Sequence, residues 1–261
     1  FRNYLREINN HGRGLKILDV GCGGGYFSLE LARNGHHVHA SDISDKCIRL
    51  ARETHKKNPF KKGFGSLKYD VKSFDQVAGE EYDVILFSGV LHHLPNVKEA
   101  VKHAFSLLKS DGVLISHEPC HERWTKAEAS QVVLIRTLLS ITGHWYEKEL
   151  GEGVLKNKSL GNLVSEVLDE YVQERDSHEA HQSPHDNTSS GEFIDGTIRD
   201  VFKEVRTYPS FSFLYRLIGG LRGKDEVIHK IADLLYIFDK ETVNEGIFEP
   251  NYFYIVANKI H

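Results

Sequence analysis

The 261-residue sequence contains no methionine, not even an initiator, and so reads as beginning inside a longer protein. Cysteine is scarce: Cys22, Cys47 and Cys120 are odd in number and widely spaced. That pattern offers no disulfide framework and no paired metal-ligand motif, and it fits a reduced, cytoplasmic setting. No apolar stretch reaches the roughly 18–20 residues that a membrane-spanning helix needs, and no signal-peptide pattern opens the chain. Long basic runs are missing too. The formal net charge is −4, and the short pairs Lys56–Lys57 and Lys61–Lys62 flank Pro59 as a solvated loop would. Electrostatics therefore give no case for a nucleic-acid partner.

What is present is length enough for a sizeable core and one stretch, Leu15 to Leu31, around which the rest is arranged. It opens with Leu15, Ile17, Leu18 and Val20, passes through Gly21, Gly23, Gly24 and Gly25, and resumes with Phe27 and Leu31 at helical spacing. A buried parallel strand, a glycine turn and a helix are expected. Glycine lets the backbone turn sharply and lets a ligand approach the main chain. The helix start offers N–H groups to an anion or carboxylate. In a dinucleotide fingerprint, G-x-G-x-x-G/A, the third small residue would fall at position 26. That position is Tyr26, and the glycines instead run G-x-G-x-G. Asp19, inside the strand, suits a ligand's amino group better than a pyrophosphate. A second acid, Asp42, ends the next strand-like stretch, His37–Ser41, 21 residues after Gly21. Ligands of open α/β sheets bind beyond the carboxyl ends of the strands, where a carboxylate can accept both hydroxyls of a ribose. Ser44 or Asp45 can cap the following helix, which leaves Asp42 to the ligand, with Ile43 flanking the base.

Asp19, Gly21, Gly23 and Gly25 together read D-x-G-x-G-x-G. This resembles the first motif of the class I S-adenosylmethionine (SAM)-dependent methyltransferases, small-molecule type. The resemblance implies SAM as cofactor and S-adenosylhomocysteine (SAH) as product. It implies a Rossmann-like α/β fold, with seven mostly parallel strands in the order 3-2-1-4-5-7-6 and helices on both faces. A second match is Tyr82 to Leu94, YDVILFSGVLHHL: the apolar strand Val84–Phe87, then Ser88 and Gly89, then V-L-H-H-L. A third is L-K-S-D-G, ending at Gly112, before the strand Val113–Ser116. The family pattern implies cofactor contacts along the turn, with Cys22 and Tyr26 completing it, and at Phe87, Ser88, Gly89 and His93. It implies an adenine pair, Asp70 and Val71, at the end of a third strand, Ser66–Val71, with Asp75 a weaker competitor. It also implies that His92 and His93 lie above the methionine part of SAM, near the methyl group.

The resemblance covers roughly the first 120 residues and the last strand. Elsewhere periodicity carries the reading. Helices are expected over Phe1–Asn10, after the glycine turn to about Asn34, from Ser44, and over Val97–Lys109, Lys126–Ile141, Leu160–Glu174, Glu192–Val205 and Glu226–Phe238. Strands are expected at Glu204–Phe213 and Pro250–Ala257, the last of them antiparallel. The expected division is a SAM-binding core over 1–119, a helical cap over 120–191, and completion of the core sheet over 192–261, with a second helical insertion at about 211–248. Within the polar tract from His178 to Gly191, the side chains His178, Glu179, His181, His185 and Asp186 suit a metal, a substrate loop or a plain polar loop. Class I methyl transfer needs no metal in general, and none is expected.

Methyl transfer from a sulfonium requires acceptor, methyl and sulfur to be aligned and water excluded. An acidic acceptor also calls for a base. His92, His93 and Glu118 are the catalytic candidates, with Tyr146 a further base. For His93 the alternative is packing on the cofactor's flank, and for Glu118 it is anchoring the substrate. An apolar cap implies a small, partly hydrophobic metabolite with an O-, N- or C-acceptor, and a homodimer is compatible with all of this. Arg216, Arg222 and Lys224, beside Phe211, Phe213, Leu214 and Leu217, read as a solvated rim beside a buried cap helix, or else as contacts for an acidic lipid or a phosphate-bearing acceptor. Two other functions compete: a SAM-binding regulatory or scaffold protein without turnover, and an NAD(P)-dependent oxidoreductase, against which Tyr26 and Asp19 both speak.

Overall fold

The structure, a computed structural model, describes residues 2–156, 159–176 and 189–260. The His-rich residues 178–186 lie outside the described residues. The strands are β1 (Lys16–Val20), β2 (His37–Asp42), β3 (Ser66–Val71), β4 (Tyr82–Ser88), β5 (Leu108–Pro119), β6 (Glu204–Pro209) and β7 (Tyr252–Asn258). The helices are α1 (Arg2–His11), α2 (Tyr26–Arg33), α3 (Asp45–Lys56), α4 (Val97–Leu107), α5 (Lys126–Ile141), α6 (Leu150–Leu155), α7 (Leu160–Asp176), α8 (Gly191–Val201), α9 (Tyr215–Ile218) and α10 (Asp225–Asn244).

The strands form one sheet in the order β3-β2-β1-β4-β5-β7-β6, as expected. β1 pairs in parallel with β2 and β4, β2 with β3, and β4 with β5. The Lys259 N–H donates to the Gly112 carbonyl and the Cys120 N–H to the Asn251 carbonyl, so β7 runs antiparallel to β5. The chain first builds outward from β1 to β3, then returns to place β4 on β1's other side. That reversal opens a crevice at the carboxyl ends of β1 and β4, the usual ligand site of such sheets.

By its internal contacts the chain divides into two compact units. The first comprises Phe1–Glu118, Asn187–Thr207 and Tyr254–His261. Its strand β4 is fully buried from Val84 to Phe87 because alternate residues serve opposite faces. Val84 and Leu86 join Ile17, Val38 and Ile115 under Ile8, Leu31, Ile48 and Ala51 of α1, α2 and α3. Phe87 turns the other way and meets Phe74 edge-on at 5.2 Å, and Phe74 meets His103 of α4. Side-chain caps start the helices: Ser44 accepts the Cys47 N–H before α3, and Asn96 accepts the Glu99 N–H before α4. Some boundaries differ from expectation: α8 ends at Val201 where Val205 was expected, and β6 at Pro209 where Phe213 was expected. α4 stops at Leu107 and β5 begins at Leu108, which is buried and pairs with Tyr82 across a register shift.

The second unit comprises Pro119–Asp186 and Tyr208–Phe253. The two insertions that the sequence suggests are thus one compact body, with Val132, Trp145, Leu163, Phe213, Leu217 and Leu235 in a common core. Arg136 of α5 forks onto the Glu170 carboxylate of α7 at 2.8 and 3.2 Å. Asp239 of α10 accepts the N–H groups of Ser212, Phe213 and Leu214. α10 runs six residues past the expected end at Phe238 because Asp239 and Thr242 are buried polar residues, which an apolar period does not register.

Candidate active site

β1 runs straight into the glycine turn. Gly21, Gly23 and Gly25 have φ of 66°, 51° and 71°, where side chains are strained. The reasons for the three glycines differ. A Cβ on Gly21 would lie 2.7 Å from the Val90 side chain, and one on Gly25 would lie 2.6 Å from both the Ala51 methyl and the Tyr69 hydroxyl. A Cβ on Gly23 would meet nothing within 4 Å. Two glycines therefore serve packing, and the third faces open space, where a ligand can reach the main chain. The Cys22 N–H donates to Ser41 O at 3.0 Å, and the Tyr69 hydroxyl to Gly25 O at 3.0 Å, so both ends of the turn are pinned. The Cys22 side chain packs against the core, and burial, with the charges of Asp19 and Asp42, pushes its thiol well up. Tyr26 opens α2 and is exposed.

Two carboxylates flank this turn. Asp19 is buried and accepts the Ser28 hydroxyl at 2.5 Å. Burial pushes its carboxyl up to about 6; the Ser28 hydrogen bond opposes the shift and the charge of Asp42 adds to it. Asp42 Oδ2 accepts the Gly23 N–H and Oδ1 the Ser44 N–H, each at 2.8 Å. This corrects the expectation that capping by Ser44 leaves Asp42 to the ligand alone. Ser44 does cap α3, and Asp42 braces both Ser44 and the glycine turn. Each carboxylate oxygen keeps a second lone pair for another donor.

Asp70 and Val71 end β3, with Val71 opposite Asp42 in register. Val71 and Ile43 are exposed aliphatic side chains. Asp70 Oδ2 pairs with Lys68 Nζ at 2.7 Å and with His39 Nε2 at 2.9 Å, and His39 Nδ1 meets the Tyr82 hydroxyl at 2.6 Å. Burial alone would raise the Asp70 carboxyl, but Lys68 and His39 outweigh it and hold the group low.

Beyond β4 the chain makes a short 3-10 turn, Leu91–His93. The Gly89 N–H donates to His117 O at 2.8 Å. The Val90 and Leu91 N–H groups both donate to Glu118 Oε1 at 3.1 Å, and the Ser116 hydroxyl reaches the same oxygen at 3.2 Å. Glu118 Oε2 lies 2.6 Å from His92 Nδ1. Burial would raise the Glu118 carboxyl, but the His92 hydrogen bond and the two backbone N–H groups prevail and hold it below its ordinary range. The His92 and His93 rings are 3.9 Å apart between centroids. Burial pushes His117 down to about 4, so it is neutral at pH 7. Tyr4 of α1 donates its hydroxyl to Ser88 Oγ at 3.4 Å and sets its ring edgewise to Phe27, His117 and Tyr254.

The carboxyl ends of β1, β2, β4 and β5 thus gather Asp19, the glycine turn, Asp42, Ser88, Gly89, His92, His93 and Glu118. The side chain of Phe87 belongs to the core, so it offers a ligand no more than its main chain. Glu118 departs from the expected acceptor-facing base: it is 1% exposed and four donors occupy its two oxygens. Tyr146 belongs to the second unit, where Arg222 stands 5.8 Å from its ring, and Arg216 there pairs with Glu170. Sequence reasoning missed Ser28, Tyr4 and Val90. Ser28 carried a signal: it is a polar residue on a buried helix face, nine positions after Asp19. Among the described residues no cluster of His, Cys, Asp and Glu could hold a metal, and no helix is long and apolar enough to cross a membrane.

Residues 11–158 match the family described as "Methyltransferase domain". The mitochondrial ubiquinone biosynthesis O-methyltransferase of Saccharomyces cerevisiae is 35% identical over 103 residues, which are 38% of this chain and 32% of that protein. A ubiquinone biosynthesis O-methyltransferase of Actinobacillus pleuropneumoniae is 32% identical over 114 residues, 43% of this chain and 49% of that protein. The chain therefore spans between about a third and a half of these relatives. A Listeria monocytogenes structure described as a SAM-dependent methyltransferase covers 98% of this chain, and the match spans 96% of its own, with a TM-score of 0.56 and 18% identity. At that identity the likeness speaks for the fold.

Proposed function

Because the chain belongs to the methyltransferase-domain family, we propose that it is a SAM-dependent methyltransferase acting on a hydroxyl group of a small, partly hydrophobic metabolite. The observation that carries this reading is the open face of Gly23, bordered by the Asp42 carboxylate that holds its N–H. A bare main chain beside a ribose-type acceptor suits an aminoacyl nucleoside. When bound, SAM supplies a methyl group on a sulfonium, activated for direct displacement. The remaining lone pairs of Asp42 take the ribose hydroxyls. Asp19, steadied by Ser28, takes the amino group directly or through water. Ile43 and Val71 flank the adenine, and Asp70 reaches its amino group by exchanging one of its present partners. Ser88, Gly89 and His93 border the methionine end.

The choice of a hydroxyl draws on the O-methyltransferase names of the curated relatives. We assign acceptor choice to the second unit, and a cytoplasmic homodimer belongs to the same proposal. Calorimetric titration with SAH, with NAD as control, tests the cofactor. Micromolar binding of SAH alone supports the reading, and binding of NAD instead, or of neither, overturns it. Transfer of a labelled methyl from SAM to any member of a metabolite panel then separates an enzyme from a scaffold without turnover.

A further inference from the structure

We propose that the turn between α3 and β3 docks on an anionic bilayer surface, with Phe60 entering the headgroup layer and Lys56, Lys57, Lys61 and Lys62 meeting the headgroups. This is independent of the cofactor reading. Phe60 is 61% exposed, yet it is held in place. Asn58 is buried; its Nδ2 donates to the Phe60 carbonyl at 2.9 Å and its Oδ1 accepts the Phe60 N–H at 3.2 Å. Arg33 of α2 donates to the same Asn58 oxygen through two nitrogens, at 3.0 and 2.8 Å. Its guanidinium carbon stands 4.7 Å from the centre of the Phe60 ring. A buried amide and an arginine therefore hold an aromatic ring out in water. Solvation of the loop accounts for its lysines but not for that ring.

Lys56 and Lys57 close α3, where they complement the helix dipole. Lys61 and Lys62 stand beyond the helix. Among the described residues none of the four makes an ion pair, whereas Lys16, Lys68, Lys102 and Lys109 of the same unit each do. From Asp45 to Lys62 seven basic residues stand against two acids, in a chain whose net charge is −4. Pro59 to Gly63 are exposed without interruption, which makes the turn a tip rather than a groove. That shape selects among anionic partners. A nucleic-acid strand is held in a groove by successive stacking rings. A specific protein partner covers about 800 Å² a side, which is large against a five-residue tip. A bilayer asks for less: one ring at headgroup level, and lysines whose mobile point charges follow lipids of no fixed arrangement. Ser66, just after the tip, pairs with His37 at the start of β2, so the tip lies at the amino ends of the strands. The crevice lies at their carboxyl ends, about 20 Å away along the six residues of β3. Docking through the tip thus leaves the crevice clear of lipid.

The test is co-sedimentation of the full chain with phosphatidylcholine vesicles, with and without phosphatidylserine. Binding is expected only where phosphatidylserine is present, and it should weaken as salt is raised. Each lysine near the surface contributes about fivefold, so replacing all four by glutamine (Lys56→Gln, Lys57→Gln, Lys61→Gln and Lys62→Gln together) should lower the partition coefficient roughly 10²–10³-fold. These side chains are exposed, so the thermal midpoint and the SAH affinity should match the wild type. Phe60→Ala should cost roughly tenfold. Phe60→Trp should keep binding and be quenched by brominated lipid beyond the wild-type level. No binding to phosphatidylserine vesicles, or equal binding by the four-lysine variant, overturns the proposal. So does a Phe60→Ala variant that binds vesicles as the wild type does while polyglutamate or duplex RNA is held as tightly, since charge alone would then be at work.

Discussion

Asp42 Oδ2 lies 2.8 Å from the main-chain nitrogen of Gly23, which makes the acid ending β2 and the open glycine of the β1 turn one hydrogen-bonded unit. The other oxygen holds the Ser44 N–H. The carboxylate therefore shapes the cradle before any ligand arrives. Asp42→Ala should weaken SAH binding by roughly 1–3 kcal/mol, the cost of losing hydrogen bonds to a charged group. It should also lower stability by about 1 kcal/mol, since two N–H groups lose their acceptor. Calorimetry and thermal denaturation read the two effects separately. A stability loss with unchanged SAH affinity would leave Asp42 a brace and nothing more.

Gly23 and Gly25 separate ligand space from packing space. Gly23→Ala should fold, with a stability loss of roughly 1–2 kcal/mol from the left-handed backbone, because its methyl meets nothing within 4 Å. It should nonetheless lose most of its SAH affinity, because the methyl stands where the ligand approaches. Gly25→Ala should do the reverse damage. Its methyl would lie 2.6 Å from Ala51 and from the Tyr69 hydroxyl, and the protein should lose well over 2 kcal/mol to overpacking and strain. Equal SAH affinity in Gly23→Ala and wild type would remove the cradle assignment.

How much of this was legible beforehand varied with the physics. The strands β1 and β4 and the turn were legible because burial writes apolar runs and sharp turns write glycine, whereas β2 and β3 are only partly buried and were marked by the acids that end them, Asp42 and Asp70. The second unit was legible as helices but not as one body, since its two halves are separated in sequence and meet through contacts such as the Trp145–Leu221 bridge. The partners of Asp42 and Glu118 were not legible, because most are backbone N–H groups, which every residue carries. Asp70 read as an adenine contact at a strand end. Its tie to His39 and Lys68 depends on register, with Asp70 beside Ser41 and Lys68 beside His39, which no local pattern reveals.

Asp239 is the clearest structural acid of the second unit. It is fully buried, and its two oxygens serve three consecutive N–H groups, those of Ser212, Phe213 and Leu214. Asp239→Ala would leave those donors buried without an acceptor, at roughly 1–3 kcal/mol each. A total loss of about 4 kcal/mol is expected, with Asp239→Asn intermediate because one oxygen remains. Hydrogen exchange should quicken at residues 211–217 and along α10. SAH affinity should stay within about threefold, since none of the cradle residues lies in this unit. Unchanged exchange at 211–217 would show that the clamp does not hold that turn.

Asp19 and His117 pull the pH dependence of stability in opposite directions. Burial raises Asp19 from 3.8 to about 6, so the folded protein binds its proton more tightly than the unfolded chain does. Stability therefore falls as pH rises from about 4 to 6, and above 6 the full cost of about 3 kcal/mol is present. Burial lowers His117 from 6.5 to about 4, so here stability falls as pH drops from 6.5 toward 4. The two limbs overlap between about pH 4 and 6 with opposite slopes and largely cancel there, so each shows only when the other group is removed. Asp19→Asn removes the alkaline limb and keeps an oxygen for the Ser28 hydroxyl. It should be more stable than wild type by about 1–3 kcal/mol at pH 8 and no more stable at pH 3.5, while SAH binding weakens because the ammonium loses its carboxylate. Denaturant unfolding across pH 3.5–8 checks the sign. If the variant gains nothing at pH 8, Asp19 is not a strained charge, and its burial beside the glycine turn would need an explanation other than the ligand it is held ready to meet.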